Sequence, residues 1–404
     1  MSLTLPPSDS SSRSDLPVLF GLTSLFADMT YELAHVLLPA LLLSLGGTAT
    51  SAAWMESLAE LAKTGGFWVS GKAGTGPSRE ALLVRAGYAT TIVATVLFSL
   101  AVNSWELVFL KSLSWFGKGV RGPARDALIA NALPDPLHAR AFGTVHALDQ
   151  TGGFLGPLAA LTLSGTLSPI SLIALSGIPG ILCLVFAVAA TRRATQILHT
   201  DPPADSGAHE NFLSKNLKTA IKRPEIRSYF IAGILLRSGL LPSTLLMFRF
   251  ASSHGTFLAM ASGFLLASVA TVLVSTAIAR KIVSGSPKTL FFSSAILLSA
   301  TYLLLASPRA SFPLYLLAMI LWGTAEAASG VALKVRGASL FPPALRSRGF
   351  ALFEIACALA ALLLWPIEAR LWDAGQTLLG MGIAATTAAA GGILLGRTKA
   401  PGDP

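Results

Sequence analysis

Apolar residues run through this chain in long stretches, and polar residues collect in short intervals between them. Residues 150–191, 255–279 and 374–396 contain no Asp, Glu, Lys or Arg. A helix needs roughly 20 such residues to cross the hydrocarbon core of a bilayer. The first run is long enough for two crossings, and the Ser-Gly-Thr-Leu-Ser-Pro at 164–169 supplies a turn between them. Read in this way, the pattern predicts twelve spans, at 17–45, 49–70, 81–102, 104–130, 140–165, 169–191, 226–249, 257–280, 288–307, 312–334, 347–370 and 375–396. The expected fold class is an all-α membrane protein of two pseudo-symmetric six-helix bundles.

Composition agrees with this pattern. The 404 residues are 53% hydrophobic and 12% charged, about half the charge of a soluble domain. The net charge of +10 is spread over short loops and not gathered on one module, which argues against nucleic acid as a partner. Most of the 30 Lys and Arg residues fall on one side of the predicted spans. The positive-inside rule then puts both termini in the cytoplasm and the protein in the inner (plasma) membrane. Cys183 and Cys357 fall inside spans, so neither a disulfide framework nor a metal site is expected, and no cofactor is implied. Residues 1–15 read as a disordered tail, 16–191 as the first bundle, 192–225 as a cytoplasmic linker and 226–397 as the second bundle.

The halves are weakly similar at an offset near 208 residues. Leu-Pro-Asp-Pro-Leu-His-Ala-Arg-Ala-Phe-Gly at 133–143 parallels Leu-Phe-Pro-Pro-Ala-Leu-Arg-Ser-Arg-Gly-Phe at 340–350, and Trp115 parallels Trp322. Two local motifs stand out. Gly152-Gly153-Phe154-Leu155-Gly156-Pro157 lies in span five. Gly117-Lys118-Gly119-Val120-Arg121-Gly122-Pro123-Ala124-Arg125-Asp126-Ala127-Leu128 lies in span four. With these features the chain resembles the major facilitator superfamily of secondary transporters, over about residues 17–396. Its span-four motif is similar to a bacterial subgroup with a GKGxR-x-x-PRDAL pattern, in which Asp28-x-x-x-Glu32 also recurs. The span-five motif looks like the one carried by the superfamily's proton antiporters. After span two the superfamily's loop signature is only partly kept, with Thr75 where its aspartate would stand. The resemblance implies that spans one, four, seven and ten surround a central cavity.

Ionisable residues inside spans are costly and mark functional sites by default. Asp28, Glu32 and His35 share one helical face, as do Glu56, Glu60 and Lys63. Asp28 and Arg237 each lie 11 residues into their spans, about 16 Å deep, and are expected to pair across the cavity. Asp28 and Glu32 are the candidates for proton coupling, and Arg237, Glu326 and Asp28 for substrate binding. His35 reads as an ordinary solvated histidine, and Glu60 with Lys63 as a local ion pair. Lys118, Arg121, Arg125, Asp126, Arg140 and Asp149 read as a cytoplasmic gate, together with Gly152, Gly156 and Pro157. His146 and Glu354 are repeat equivalents placed for a gating contact. Gly152, Gly153 and Gly156 are expected to clear one helix face for close packing.

The reading is a proton-coupled antiporter that exports a small molecule by alternating access, acting as a monomer in the lipid bilayer. An importer or uniporter of a small organic anion, with Arg237 as the binding charge, is the alternative. A membrane-embedded enzyme lacks supporting motifs: Gly-Lys-Gly-Val-Arg-Gly does not have phosphate-loop spacing, and no His-Glu metal spacing occurs.

Overall fold

The structure, a computed structural model, describes residues 15–72, 76–200, 219–254, 257–281, 288–306, 311–342 and 345–397. The expected tail, apart from Asp15, lies outside the described residues, as do Thr75 and residues 201–218 of the expected linker. Fourteen α-helices lie wholly within the described residues. They are α1 (Leu16–Ser44), α2 (Ala49–Lys72), α3 (Pro77–Leu97), α4 (Ser104–Ala132), α5 (Asp135–Leu163), α6 (Pro169–Leu175) and α7 (Gly177–Thr200). Then follow α8 (Pro224–Ser238), α9 (Ser243–His254), α10 (Phe257–Lys281), α11 (Lys288–Ala306), α12 (Phe312–Leu340), α13 (Arg346–Asp373) and α14 (Thr377–Arg397).

Nine stretches among the described residues are long and apolar enough to cross a membrane. The helices α2, α4 and α5 have the length, at 24, 29 and 29 residues, and fall outside that set because of the polar and charged groups they carry. Large apolar side chains such as Leu82, Val93, Ile181, Leu273, Leu303 and Leu363 stay exposed. Lipid tails, unlike water, accept such a surface.

Sequence punctuation sets the helix ends. Asn103 caps α4, its side chain accepting from the Glu106 N–H at 2.9 Å while the Glu106 carboxylate accepts from Asn103 Nδ2 and the Val102 N–H. Proline opens α3, α6 and α8 at the position where its missing N–H has no helical partner. Two expected spans are broken helices. Span six is α6 followed by α7, and α7 continues to Thr200, past its expected end at 191 and into the expected linker. Span seven is α8 followed by α9, interrupted between Ser238 and Ser243 by Gly239 and Pro242.

A break inside a membrane protein leaves backbone groups that must be satisfied internally. Three aromatic side chains do this. Tyr302 Oη donates to the Gly239 carbonyl and accepts from the Leu241 N–H at 2.9 Å. Trp322 Nε1 donates to the Leu241 carbonyl at 2.8 Å, and Trp365 Nε1 to the Ser238 carbonyl at 2.9 Å. Tyr302→Phe removes a donor and an acceptor from buried backbone groups. It should lower stability by about 1–3 kcal/mol, read as a fall in melting temperature of the purified protein in detergent.

The chain divides into two compact units: residues 1–37 with 62–208, and residues 38–61 with 209–404. The division therefore differs from the expected 16–191 and 226–397 bundles in one place. The end of α1 and the first half of α2 belong with the C-terminal half. A direct physical link accompanies this grouping, because the Asp373 carboxylate accepts from the Ala49 N–H and the Thr50 N–H, each at 2.9 Å. Within the first unit, Phe20, Val84, Tyr88, Leu128, Ile129 and Cys183 form part of a continuous buried core. Both cysteines are free and buried.

Candidate functional site

In the first unit, glycines decide how the helices meet. A Cβ on Gly117 would lie 2.6 Å from the Gly87 carbonyl oxygen of α3. A Cβ on Gly119 would lie 2.0 Å from the Lys63 carbonyl oxygen of α2. So α4 touches α3 through one glycine and α2 through the other, backbone to backbone. Lys118, between them, points in a third direction, towards α1, where its Nζ donates to Tyr31 Oη at 2.8 Å. Arg121, one turn on, is also turned inward, its guanidinium 4.1 Å from the centre of the Tyr88 ring.

The Gly-Pro motif of α5 works in the same way against α1. A Cβ on Gly152 would lie 2.2 Å from the Leu25 carbonyl oxygen, and one on Gly156 would lie 2.8 Å from the Leu33 nitrogen. Gly153, expected on the same packing face, instead faces open space. Residues 152 and 156 are one turn apart and share a face, whereas 153 is turned about 100° from 152. Asp149 is a turn before Gly152 on the contact side, and it is an electrostatic neighbour of Asp28.

These contacts assemble one largely buried cluster. Asp28 accepts a hydrogen bond from Tyr31 and has Asp149, Lys118 and Arg121 as charged neighbours. Lys118 also interacts with Glu32. Further along α1, His35 is buried, with Nδ1 3.0 Å from Lys111 Nζ, and Lys111 is wholly buried over the Trp115 ring at 3.4 Å. The expectation of a solvated His35 is corrected here. Its face of α1 looks onto α4 and not onto water. Lys118 and Arg121, expected at a gate apart from the binding charges, are brought together with Asp28. Arg125 bonds Asp126 at 2.9 Å and Ser24 Oγ at 2.9 Å. Arg140 and His146 are exposed.

The cluster predicts a measurable coupling. Lys118→Ala leaves Asp28 and Asp149 facing each other with one cation fewer, which should cost about 1–3 kcal/mol. Adding Asp28→Asn to Lys118→Ala should recover part of that loss in thermal melts, a non-additivity expected only of interacting residues.

In the second unit, Arg237 at the end of α8 has Glu354, Glu60 and Glu326 as charged neighbours. Glu60 is thus placed with Arg237 and Glu326. Glu326 sits a turn beyond Gly323, whose Cβ would lie 2.3 Å from the Ala267 carbonyl oxygen of α10. Thr271 of α10 reaches Glu326 Oε2 at 3.5 Å. Here too a glycine contact fixes the direction of the charge that follows it. Asp28 and Arg237 belong to different units, and the partners described above lie within each unit. Glu368 of α13, which the sequence pattern did not single out, is wholly buried, with neither carboxylate oxygen hydrogen-bonded among the described residues. Its signal was present as a second acid, after Glu354, in the same apolar span.

An all-helical protein with apolar spans, broken helices and buried charge on span-equivalent helices defines a multi-pass membrane protein. The Major Facilitator Superfamily model matches residues 20–366, and the chain belongs to that family. An uncharacterised protein of Mycobacterium tuberculosis (strain ATCC 25618 / H37Rv) is 35% identical over 150 residues, 37% of this chain and 36% of the relative. An uncharacterised MFS-type transporter of Methanocaldococcus jannaschii is 31% identical over 143 residues, 35% of this chain and 36% of the relative. The chain thus spans little more than a third of the length of the curated relatives it matches. Among solved structures, the nucleoside transporter NupG has TM-score 0.75 at 12% identity, covering 95% of this chain and 100% of that one. A POT family transporter in complex with a thioalcohol-conjugated peptide has TM-score 0.73 at 13% identity, covering 93% and 94%. At these identities the likeness is one of fold.

Proposed function

We propose that this protein is a secondary active transporter that exports a small molecule in exchange for protons, by alternating access. The observation that carries the reading is the cluster of Asp28, Tyr31 and Arg121, all buried, with the half-buried Lys118 and Asp149. A carboxylate held beside both a second carboxylate and two cations has alternative partners in each protonation state, as a coupling group requires. Asp28 and Glu32 carry the proton, while Lys118 and Arg121 hold Asp28 when it is ionised. Arg237 and Glu326 line the substrate side of the second unit. Arg125, Asp126, Arg140 and Asp149, with the helix contact at Gly152, Gly156 and Pro157, control access from the cytoplasm. The Methanocaldococcus jannaschii relative and the two structural neighbours, each named as a transporter, support the class.

The anion-import alternative is disfavoured by the surroundings of Arg237. With Glu354, Glu60 and Glu326 beside it, that guanidinium is already shared among three acids, and an anion would have to compete with them. The cargo that suits this setting is neutral or cationic.

The test uses proteoliposomes with an acid-loaded lumen. A compound found by thermal-shift screening of the purified protein should enter the vesicles against its gradient as protons leave, and a protonophore should abolish the accumulation. Uptake that ignores the imposed gradient would contradict proton exchange.

A further inference from the structure

Asp373 is the last residue of α13. A negative charge there is opposed by the dipole of its own helix, whose C-terminal end is already negative. Its position is explained by a different helix. The carboxylate lies across the N-terminus of α2, with Oδ1 accepting from the Ala49 N–H and Oδ2 from the Thr50 N–H, both at 2.9 Å. These two donors are the first of the α2 helix, and they have no partner within it. The following turn is capped locally, since Thr48 and Ser51 exchange side-chain bonds, Thr48 N–H to Ser51 Oγ at 2.8 Å and Ser51 N–H to Thr48 Oγ1 at 3.3 Å. Asp373 therefore supplies what the local box leaves undone. Both turns involved are built for it. Gly46 precedes α2 with φ 70°, and Gly375 closes α13 with φ 77°, left-handed values that glycine accepts without strain.

We propose that Asp373 is a latch that holds the α1–α2 turn against the α13–α14 turn. It releases when these two turns part. The proposal rests on the alternating-access reading. In the closed state two charge-assisted bonds and a helix dipole favour contact. In the open state the α2 N-terminus and the carboxylate are each left to water, so the latch biases the equilibrium towards the closed state.

The experiment places a single cysteine at Ala53, wholly buried on α2, in a background with Cys183→Ala and Cys357→Ala. A second reporter carries the cysteine at Ala127, near the opposite end of α4. Alkylation by a membrane-impermeant maleimide is followed in right-side-out and inverted vesicles. Asp373→Ala should raise the rate at residue 53 roughly 5- to 30-fold, the range that loss of a helix cap produces in a two-state equilibrium, and lower it at residue 127. Ala49→Pro removes only one donor, at a position where helices accept proline. It should act in the same direction, less strongly, and add nothing in the Asp373→Ala background. Unchanged labelling at both reporters in folded Asp373→Ala overturns the latch and leaves alternating access untouched. A rise at residue 53 with no fall at residue 127 overturns alternating access too, and with it the latch as a switch.

Discussion

Alanine at Gly119 is expected to unseat α4 and to cost at least ~3 kcal/mol, at the upper end of what overpacking does. The added carbon would lie 2.0 Å from the Lys63 carbonyl oxygen and 2.8 Å from the Lys63 carbonyl carbon. Both are backbone atoms, so no rotamer change relieves the clash and the helices must separate. The separation would also swing Lys118 away from Tyr31, because Lys118 takes its direction from the glycines on either side. Gly153→Ala is the control. It adds the same atom within the Gly-Pro motif, where nothing lies within 4 Å. Thermal melts in detergent should show a large loss for Gly119→Ala and almost none for Gly153→Ala. Equal effects would mean that the α2–α4 contact does not set the packing of the first unit.

That contrast also shows what could be read in advance. Residues 117–119 and 152–157 stood out in the sequence, and their small size forecast close helix contacts. Which glycine touches which helix did not follow from spacing, since the direction of a face is fixed only by its neighbours. For the same reason His35 reads as solvated by depth alone, whereas its helical face turns it onto Lys111. The break in span seven was legible in principle, from Gly239 and Pro242 three residues apart within an apolar run. Its stability was not, because the partners of the freed backbone groups, Tyr302, Trp322 and Trp365, come from helices 61 to 127 residues away in sequence. The charges of spans one, seven and ten were identified from burial cost alone. Their grouping, with Lys118 and Arg121 beside Asp28 and with Glu60 and Glu354 beside Arg237, needed the tertiary structure.

The second large effect is functional. Asn at residue 28 keeps the volume of the side chain and can still bond Tyr31, so the fold should survive. What it loses is the ability to gain and release a proton among Asp149, Lys118 and Arg121. A carrier that couples through Asp28 should then still recognise its cargo and still move it down a gradient. It should no longer convert a proton gradient into accumulation. Glu32, one turn away on the same face, is the internal comparison. If both acids serve coupling, Glu32→Gln should weaken gradient-driven accumulation as well, and Asp28→Asn, the more deeply buried position, should weaken it more.

The most direct measurement pairs two readouts on wild type and Asp28→Asn. One is the ligand-induced rise in melting temperature, which reports binding. The other is accumulation of the same compound by proteoliposomes under an imposed pH gradient. The predicted result is an unchanged thermal shift with accumulation reduced to that of protein-free vesicles. Wild-type accumulation by folded Asp28→Asn would contradict proton coupling at this residue.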